Sequence, residues 1–138
     1  MKHTTKSPDE TYELAQKFAR DLKPGDVLAL VGDLGAGKTC FIQGLAEGLS
    51  VPSSVYVRSP SFALINEYLD GRLSLFHIDF YRLNESTDLT ELGLDEYIYG
   101  EGVVAIEWAD NFPKAIPKHA RYIRFEIVDD GVRNIDIV

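Results

Sequence analysis

Apolar positions run along this chain in two rhythms. Near period 3.6, Leu14, Phe18 and Leu22, with Ala15 and Ala19, fall on one helical face. Ser7-Pro8-Asp9-Glu10 predicts its start, with Ser7 as N-cap, Pro8 in the first helical position and Glu10 closing a capping box. Lys23-Pro24-Gly25-Asp26 ends it. In a second helix, from residue 39 to 49, Phe41, Leu45 and Leu49 share a face. Its Gly44 and Gly48 cost helix stability, so the spacing predicts close packing against a neighbour. Continuous apolar runs at 27–31 and 103–106 read as buried strands, and 55–58 reads as a short strand. Segments 63–69 and 72–80 flank Asp70-Gly71, a strong hairpin signal, so the strand over 73–79 should arrive antiparallel to its predecessor. Residues 121–128 and 132–138 alternate at period two around Asp129-Asp130-Gly131. There Ile123, Phe125 and Ile127 face one way and Arg124 and Glu126 the other, predicting a closing hairpin. The acidic stretch 84–99 reads as helical, anchored by Leu89, Leu92 and Leu94.

One turn in this pattern carries chemistry. The strand 27–31 runs into Gly32-Asp33-Leu34-Gly35-Ala36-Gly37-Lys38-Thr39, and a helix follows. Strand, G-x-x-x-x-G-K-T loop and helix is the context of a phosphate-binding P-loop. Gly32, Gly35 and Gly37 allow tight and positive-φ backbone, so that successive N–H groups point inward at phosphate oxygens. The helix adds its N-terminal dipole. Lys38 can reach the β/γ-phosphates, and Thr39 can offer its hydroxyl to Mg²⁺. The fold expected is α/β, a P-loop NTPase-like three-layer arrangement. The hairpin makes its central sheet mixed parallel and antiparallel, unlike the all-parallel core of a simple nucleotide kinase.

Composition narrows the class. The 138 residues suit one domain, 1–138, with a sizeable core. Fourteen basic against 22 acidic residues leave a net charge of −8. That balance argues against unaided binding to a nucleic-acid backbone, which needs clustered Lys and Arg. It suits a protein that docks onto a basic partner. No apolar run is long enough to span a membrane, and Met1 to Lys6 lack the apolar core of a signal peptide. The lone Cys40 fits a reducing, cytoplasmic setting and reads as a small packing residue.

Three apolar strands each end in a functional group: the P-loop, Asp79 and Glu107. In open α/β sheets, ligands bind at the carboxyl ends of strands. If the three strands are adjacent and parallel, both carboxylates stand beside the phosphates. A P-loop site needs one carboxylate at Mg²⁺, directly or through water, and a second group that orients or activates the attacking water. Asp79 has the Walker-B position and Glu107 is the natural second acid; the sequence leaves open which of them touches the metal. Ser61 can contact Mg²⁺ or the γ-phosphate from a mobile loop. His77 should share a sheet face with Asp79, as a hydrogen-bonded strand histidine. Arg82 and Arg133 can reach phosphate or adenine, or pair with surface acids.

The P-loop resembles that of the bacterial TsaE (YjeE) family. So do Ser59-Pro60-Ser61-Phe62 with Asn66-Glu67-Tyr68, His77-Ile78-Asp79-Phe80-Tyr81-Arg82-Leu83, and Ile106-Glu107-Trp108. Their order and spacing match over nearly the whole chain. The resemblance implies a Mg²⁺-dependent ATPase that supports formation of N6-threonylcarbamoyladenosine at position 37 of certain tRNAs. It would act by associating with the TsaD–TsaB complex and driving its turnover, with tRNA met only through those partners. Carried over by position, Gly35, Ala36, Gly37, Lys38, Thr39 and Cys40 would hold ATP or ADP. Lys38, Asp79 and Glu107 would be catalytic, and Thr39, Ser61, Asp79 and Glu107 would lie at the metal. Trp108 would sit beside the active centre, while Thr11 and the turn from Asp130 to Arg133 would flank the base. Two positions depart from the pattern: Ser61 stands where the family usually carries Thr, and Cys40 replaces a second Thr after the P-loop. The acidic surface over 84–101 would be a docking face. The competing readings are a small-molecule or nucleotide kinase, for which no arginine-rich lid is seen, and a non-hydrolysing nucleotide switch.

Overall fold

The computed structural model describes residues 1–52, 54–55, 57–58, 60, 65–81 and 93–138. Its strands are β1 (Lys2–Thr5), β2 (Val27–Val31), β3 (Ile65–Tyr68), β4 (Leu75–Asp79), β5 (Val103–Glu107), β6 (Arg121–Asp129) and β7 (Val132–Ile137). They form one seven-stranded sheet in the order β1-β7-β6-β2-β5-β4-β3. The centre is parallel: β2 pairs with β5 and β6, and β5 with β4. The flanks are antiparallel, with β3 on β4, β7 on β6 and β1 on β7. This is the mixed α/β sheet expected.

Strand alternation divides the core into two layers. From β2, Leu28 and Leu30 face one side with Val103 and Ala105, under helices α1 (Pro8–Ala19) and α2 (Lys38–Gly48). Val27 and Ala29 face the other, with Val104, Ile106 and Ile78, under α3 (Leu94–Ile98) and the 3-10 turn Ala109–Asn111. Helix α1 starts at the expected cap, where Ser7 Oγ accepts from Glu10 N at 3.1 Å; Glu10 Oε1 accepts from Lys6 N at 3.0 Å, one residue before the N-cap N–H that a capping box would use. A Cβ added at Gly44 would clash with the Tyr12 carbonyl and lie 2.7 Å from Ala15 Cβ. At Gly48 it would lie 2.6 Å from Ala19 Cβ. The two glycines are the surface on which α2 seats against α1, and that contact offsets their helix cost.

Several expectations change. The segment at 55–58 makes no strand among its described residues. Arg58 N–H and carbonyl bond to the Tyr68 hydroxyl, and the Val57 carbonyl accepts from Gln43, so side chains satisfy this backbone in place of a ladder. Asp70-Gly71 does not form a tight two-residue turn, since β3 ends at Tyr68 and β4 begins at Leu75. Gly71 is needed for close approach: a Cβ there would lie 2.5 Å from the Leu49 carbonyl, which accepts from Arg72 N. Ile127 lies outside the core, 45% exposed, where the β6–β7 register shifts. Strand β1 was not expected, because Lys2-His3-Thr4-Thr5 has no apolar alternation; only Thr5 is buried. Of the helix read over 84–99, α3 is the described part; residues 82–92, with Leu89, Leu92 and Arg82, lie outside the described residues, as does Ser61. Among the described residues no helix is long and apolar enough to cross a membrane.

Candidate active site

Chain direction brings the chemistry to one edge. Parallel β2, β5 and β4 lie side by side, so their carboxyl ends open onto the same place. There β2 passes into the glycine loop, and α2 leaves it at Lys38. Gly35 (φ 81°) and Gly37 (φ 101°) take the left-handed backbone that a residue with a Cβ rarely adopts. Gly32 serves differently: a Cβ there would lie 2.8 Å from Phe125 of β6, so glycine lets that strand pass close. Gly37 caps α2 without a side-chain bond, and no acid stands in its first turn. The positive end of the helix is left unneutralised, which favours a bound anion.

Lys38 lies folded into the loop. Its ammonium donates to the carbonyl of Gly32 and to that of Asp33 at 3.3 Å, and it rests 3.6 Å from the Trp108 ring centroid. Burial pushes its pKa down from the usual lysine range, opposed by nearby Glu107, Asp110, Asp33 and Asp79. Trp108 follows β5 directly and turns the chain with φ 56°, a backbone state unusual for a bulky residue. Its ring meets that of Tyr81, centroids 5.1 Å apart.

Asp79 and Glu107 are register partners at the ends of β4 and β5. Glu107 is 3% exposed and uses its oxygens separately. Oε1 accepts from the Thr39 hydroxyl at 3.1 Å, and Oε2 lies 2.6 Å from His77 Nε2. Asp79 is less buried; Oδ1 accepts from Tyr81 N at 2.8 Å. Burial raises its carboxyl above the usual range, with Glu107 adding to the rise, while the Tyr81 bond, His77 and Lys38 oppose it. A cavity of about 400 Å³ is lined by Gly35, Lys38, Thr39, Asp79, Glu107 and Trp108 among others.

A smaller cleft of about 100 Å³ adjoins the loop and gathers Thr11, Cys40, Gly131 and Arg133. Strand β1 explains this, since Thr5 pairs with Arg133 across the sheet and shares a 2.7 Å hydroxyl bond with Thr11. Arg133 donates to the Gly35 carbonyl at 3.1 Å. Cys40 Sγ donates to the Pro8 carbonyl at 3.2 Å, and burial, then Asp9, raise the thiol pKa. A third cavity, of about 340 Å³, lies beyond α2; its Gln43 is committed to Val57, and its Tyr12 pairs with Glu47. Two contacts went unread from sequence. The His77–Glu107 bond had a partial signal, in His77 sharing a sheet face with Asp79. The seat of Lys38 on Trp108 had only the family resemblance, which puts Trp108 beside the active centre; the ring contact itself depends on the unusual turn at Trp108.

The chain's residues 5–135 match the sequence profile of the family described as "Threonylcarbamoyl adenosine biosynthesis protein TsaE". The chain belongs to the TsaE family. Among its curated relatives is the tRNA threonylcarbamoyladenosine biosynthesis protein TsaE of Bacillus subtilis, 44% identical over 98% of this chain and 83% of that protein. The TsaE of Treponema pallidum is 37% identical over 99% of both chains, and that of a Nostoc species is 41% identical over 94% of this chain and 80% of its own. The TsaE fold is likewise shared with the crystal structure of Bacillus subtilis YdiB: TM-score 0.86, 42% identity, covering 99% of this chain and 83% of that one.

Proposed function

We propose that this chain is a Mg²⁺-dependent ATPase of tRNA threonylcarbamoyladenosine synthesis, working in the cytoplasm as a single domain with the TsaD–TsaB complex. Family membership supports the pathway. The observation that carries the chemistry is the pairing of Asp79 with Glu107 beside the glycine loop, with Glu107 Oε1 on the Thr39 hydroxyl. The residues present fit the nucleotide: a left-handed glycine loop, an uncapped helix start and an adjoining cavity suit a polyphosphate. They fit Mg²⁺ also. Among the described residues no three His, Cys, Asp or Glu side chains converge to build a metal cage. Mg²⁺ sites are commonly made of one or two carboxylates with water and substrate phosphates.

In this reading the loop N–H groups from Gly35 to Thr39 hold the phosphates, and Ala36 packs the loop down, 1% exposed. Lys38 exchanges its carbonyl partners for phosphate oxygens. Thr39 and Asp79, with Ser61 from the segment outside the described residues, hold the metal directly or through water. Glu107 orients the attacking water and accepts its proton. Bound Mg²⁺·ATP supplies the scissile phosphoanhydride and neutralises charge at the phosphate oxygens. Thr11, Cys40 and Arg133 flank the base in the adjoining cleft, and Trp108 closes the phosphate side.

The test is ATP hydrolysis by the chain with and without TsaD and TsaB. Stimulation that needs both partners, lost in Glu107→Gln while nucleotide still binds, is the expected result. Undiminished tRNA modification by Glu107→Gln, or phosphoryl transfer to a nucleoside or sugar in preference to water, would overturn the reading.

A further inference from the structure

Among the buried polar side chains, His77 has no part in the reading above. It lies in the middle of β4 at 0% exposure, in register between Asn66 of β3 and Ala105 of β5. Its neighbours along the strand are apolar, Ile78 in the core and Phe76 packed against it. Most histidines so buried satisfy both ring nitrogens. Among the described residues Nδ1 has no partner, and the ring's one polar contact is the 2.6 Å bond to Glu107 Oε2. With Glu107 ionised, as the base role above requires, its carboxylate only accepts, so in that reading Nε2 carries the proton and His77 is the donor. An aliphatic residue would fill this strand position without leaving a buried nitrogen unsatisfied. The imidazole is therefore explained by Glu107.

We propose that His77 is a positioning residue for hydrolysis, resting on the ATPase reading above. It occupies Oε2 and fixes the carboxylate rotation, which presents Oε1 to Thr39 and to the space beside the loop. Without it Oε2 loses this donor, and the carboxylate rotation is held less firmly against the loop. Metal ligands depend in the same way on partners that hold their second atom, and loss of such a partner typically costs about 10–100-fold in activity.

The test uses the full chain in two arms. In the first, ¹⁵N NMR of the imidazoles of the nucleotide-free chain should show His77 with its proton on Nε2, and Glu107→Gln should shift that resonance. A proton on Nδ1 instead, or a resonance blind to Glu107→Gln, would overturn the proposal. In the second, ATP turnover is measured with TsaD and TsaB present. His77→Leu should lower kcat about 10–100-fold with KM for ATP unchanged. His77→Gln, which keeps an N–H donor near the Nε2 position, should restore most of the loss. His77→Leu combined with Glu107→Gln should be no slower than Glu107→Gln alone. Wild-type kcat in His77→Leu, or a His77→Gln variant that binds ATP normally yet turns over no better than His77→Leu, would overturn the proposal. If His77→Leu does not fold, His77→Gln and the NMR arm decide. An unmutated chain that never hydrolyses ATP with both partners present would instead bring down the ATPase reading, and the NMR arm would still decide the His77–Glu107 bond.

Discussion

Lys38 shows how a single side chain can stand out in a motif while its geometry stays hidden. Motif spacing marks it as a candidate phosphate contact, but its seat on Trp108 and the Gly32 and Asp33 carbonyls depends on how two distant segments meet. Removing it should weaken nucleotide binding. Charged hydrogen bonds contribute about 1.5–3 kcal/mol, so Lys38→Ala should raise the Kd for ATP about 10–100-fold by calorimetry. Cys40 gives a pH prediction. Burial raises its thiol pKa, so at mild alkaline pH it holds less thiolate than a free cysteine and should react slowly with iodoacetamide. Rate should climb as pH approaches the raised value. The linked stability runs the other way: the raised folded-state pKa gives a contribution present below the unfolded thiol's value and lost as pH rises through the folded one. Because Cys40 lines the cleft with Thr11 and Arg133, saturating nucleotide should slow its alkylation further. No slowing would remove that cleft from the binding site. His77 and Glu107 stand 30 residues apart, and no local pattern announces that β4 and β5 bring them within a hydrogen bond.

At the scale of elements, the two glycines of α2 carry the clearest prediction. Gly to Ala in an exposed helix normally adds about 1 kcal/mol of stability. Here the new methyl group would meet α1 backbone and Ala15 or Ala19. Gly44→Ala and Gly48→Ala should each destabilise by about 1–3 kcal/mol in urea unfolding. Stabilisation by either would mean that the helices are not in close contact. Ser7→Ala, at the start of α1, should cost about 1 kcal/mol through the lost cap. Both helices were readable because caps, apolar stripes and glycine spacing are local signals. Strand edges were less so. Residues 55–58 have strand-like composition, yet Tyr68, Asn66 and Gln43 side chains take up the backbone groups of Val57 and Arg58. In Asp70-Gly71, the glycine answers to the Leu49 carbonyl. Strand β1 owes its place to pairing with β7, which composition does not encode.

For the whole molecule, sequence supplied the mixed character of the sheet but not the order of its strands. The placement of β5 between β2 and β4 is the decisive feature, since it aligns three strand ends at the glycine loop. Non-local pairing of this kind is set by the summed burial of both sheet faces, and no single stretch displays it. Net charge of −8 gives a prediction at this scale. The isolated chain should not retain tRNA in a mobility shift at physiological salt, because it lacks the cationic surplus that releases counterions. Binding of tRNA should appear only with the partner proteins. Finally, the chain contains one tryptophan, and it is Trp108, with the Lys38 ammonium against its ring. Intrinsic fluorescence is therefore a dye-free optical reporter of the glycine loop. Titration with ADP or ATP should change emission as the ammonium leaves the indole for phosphate, and Lys38→Ala should silence much of that response.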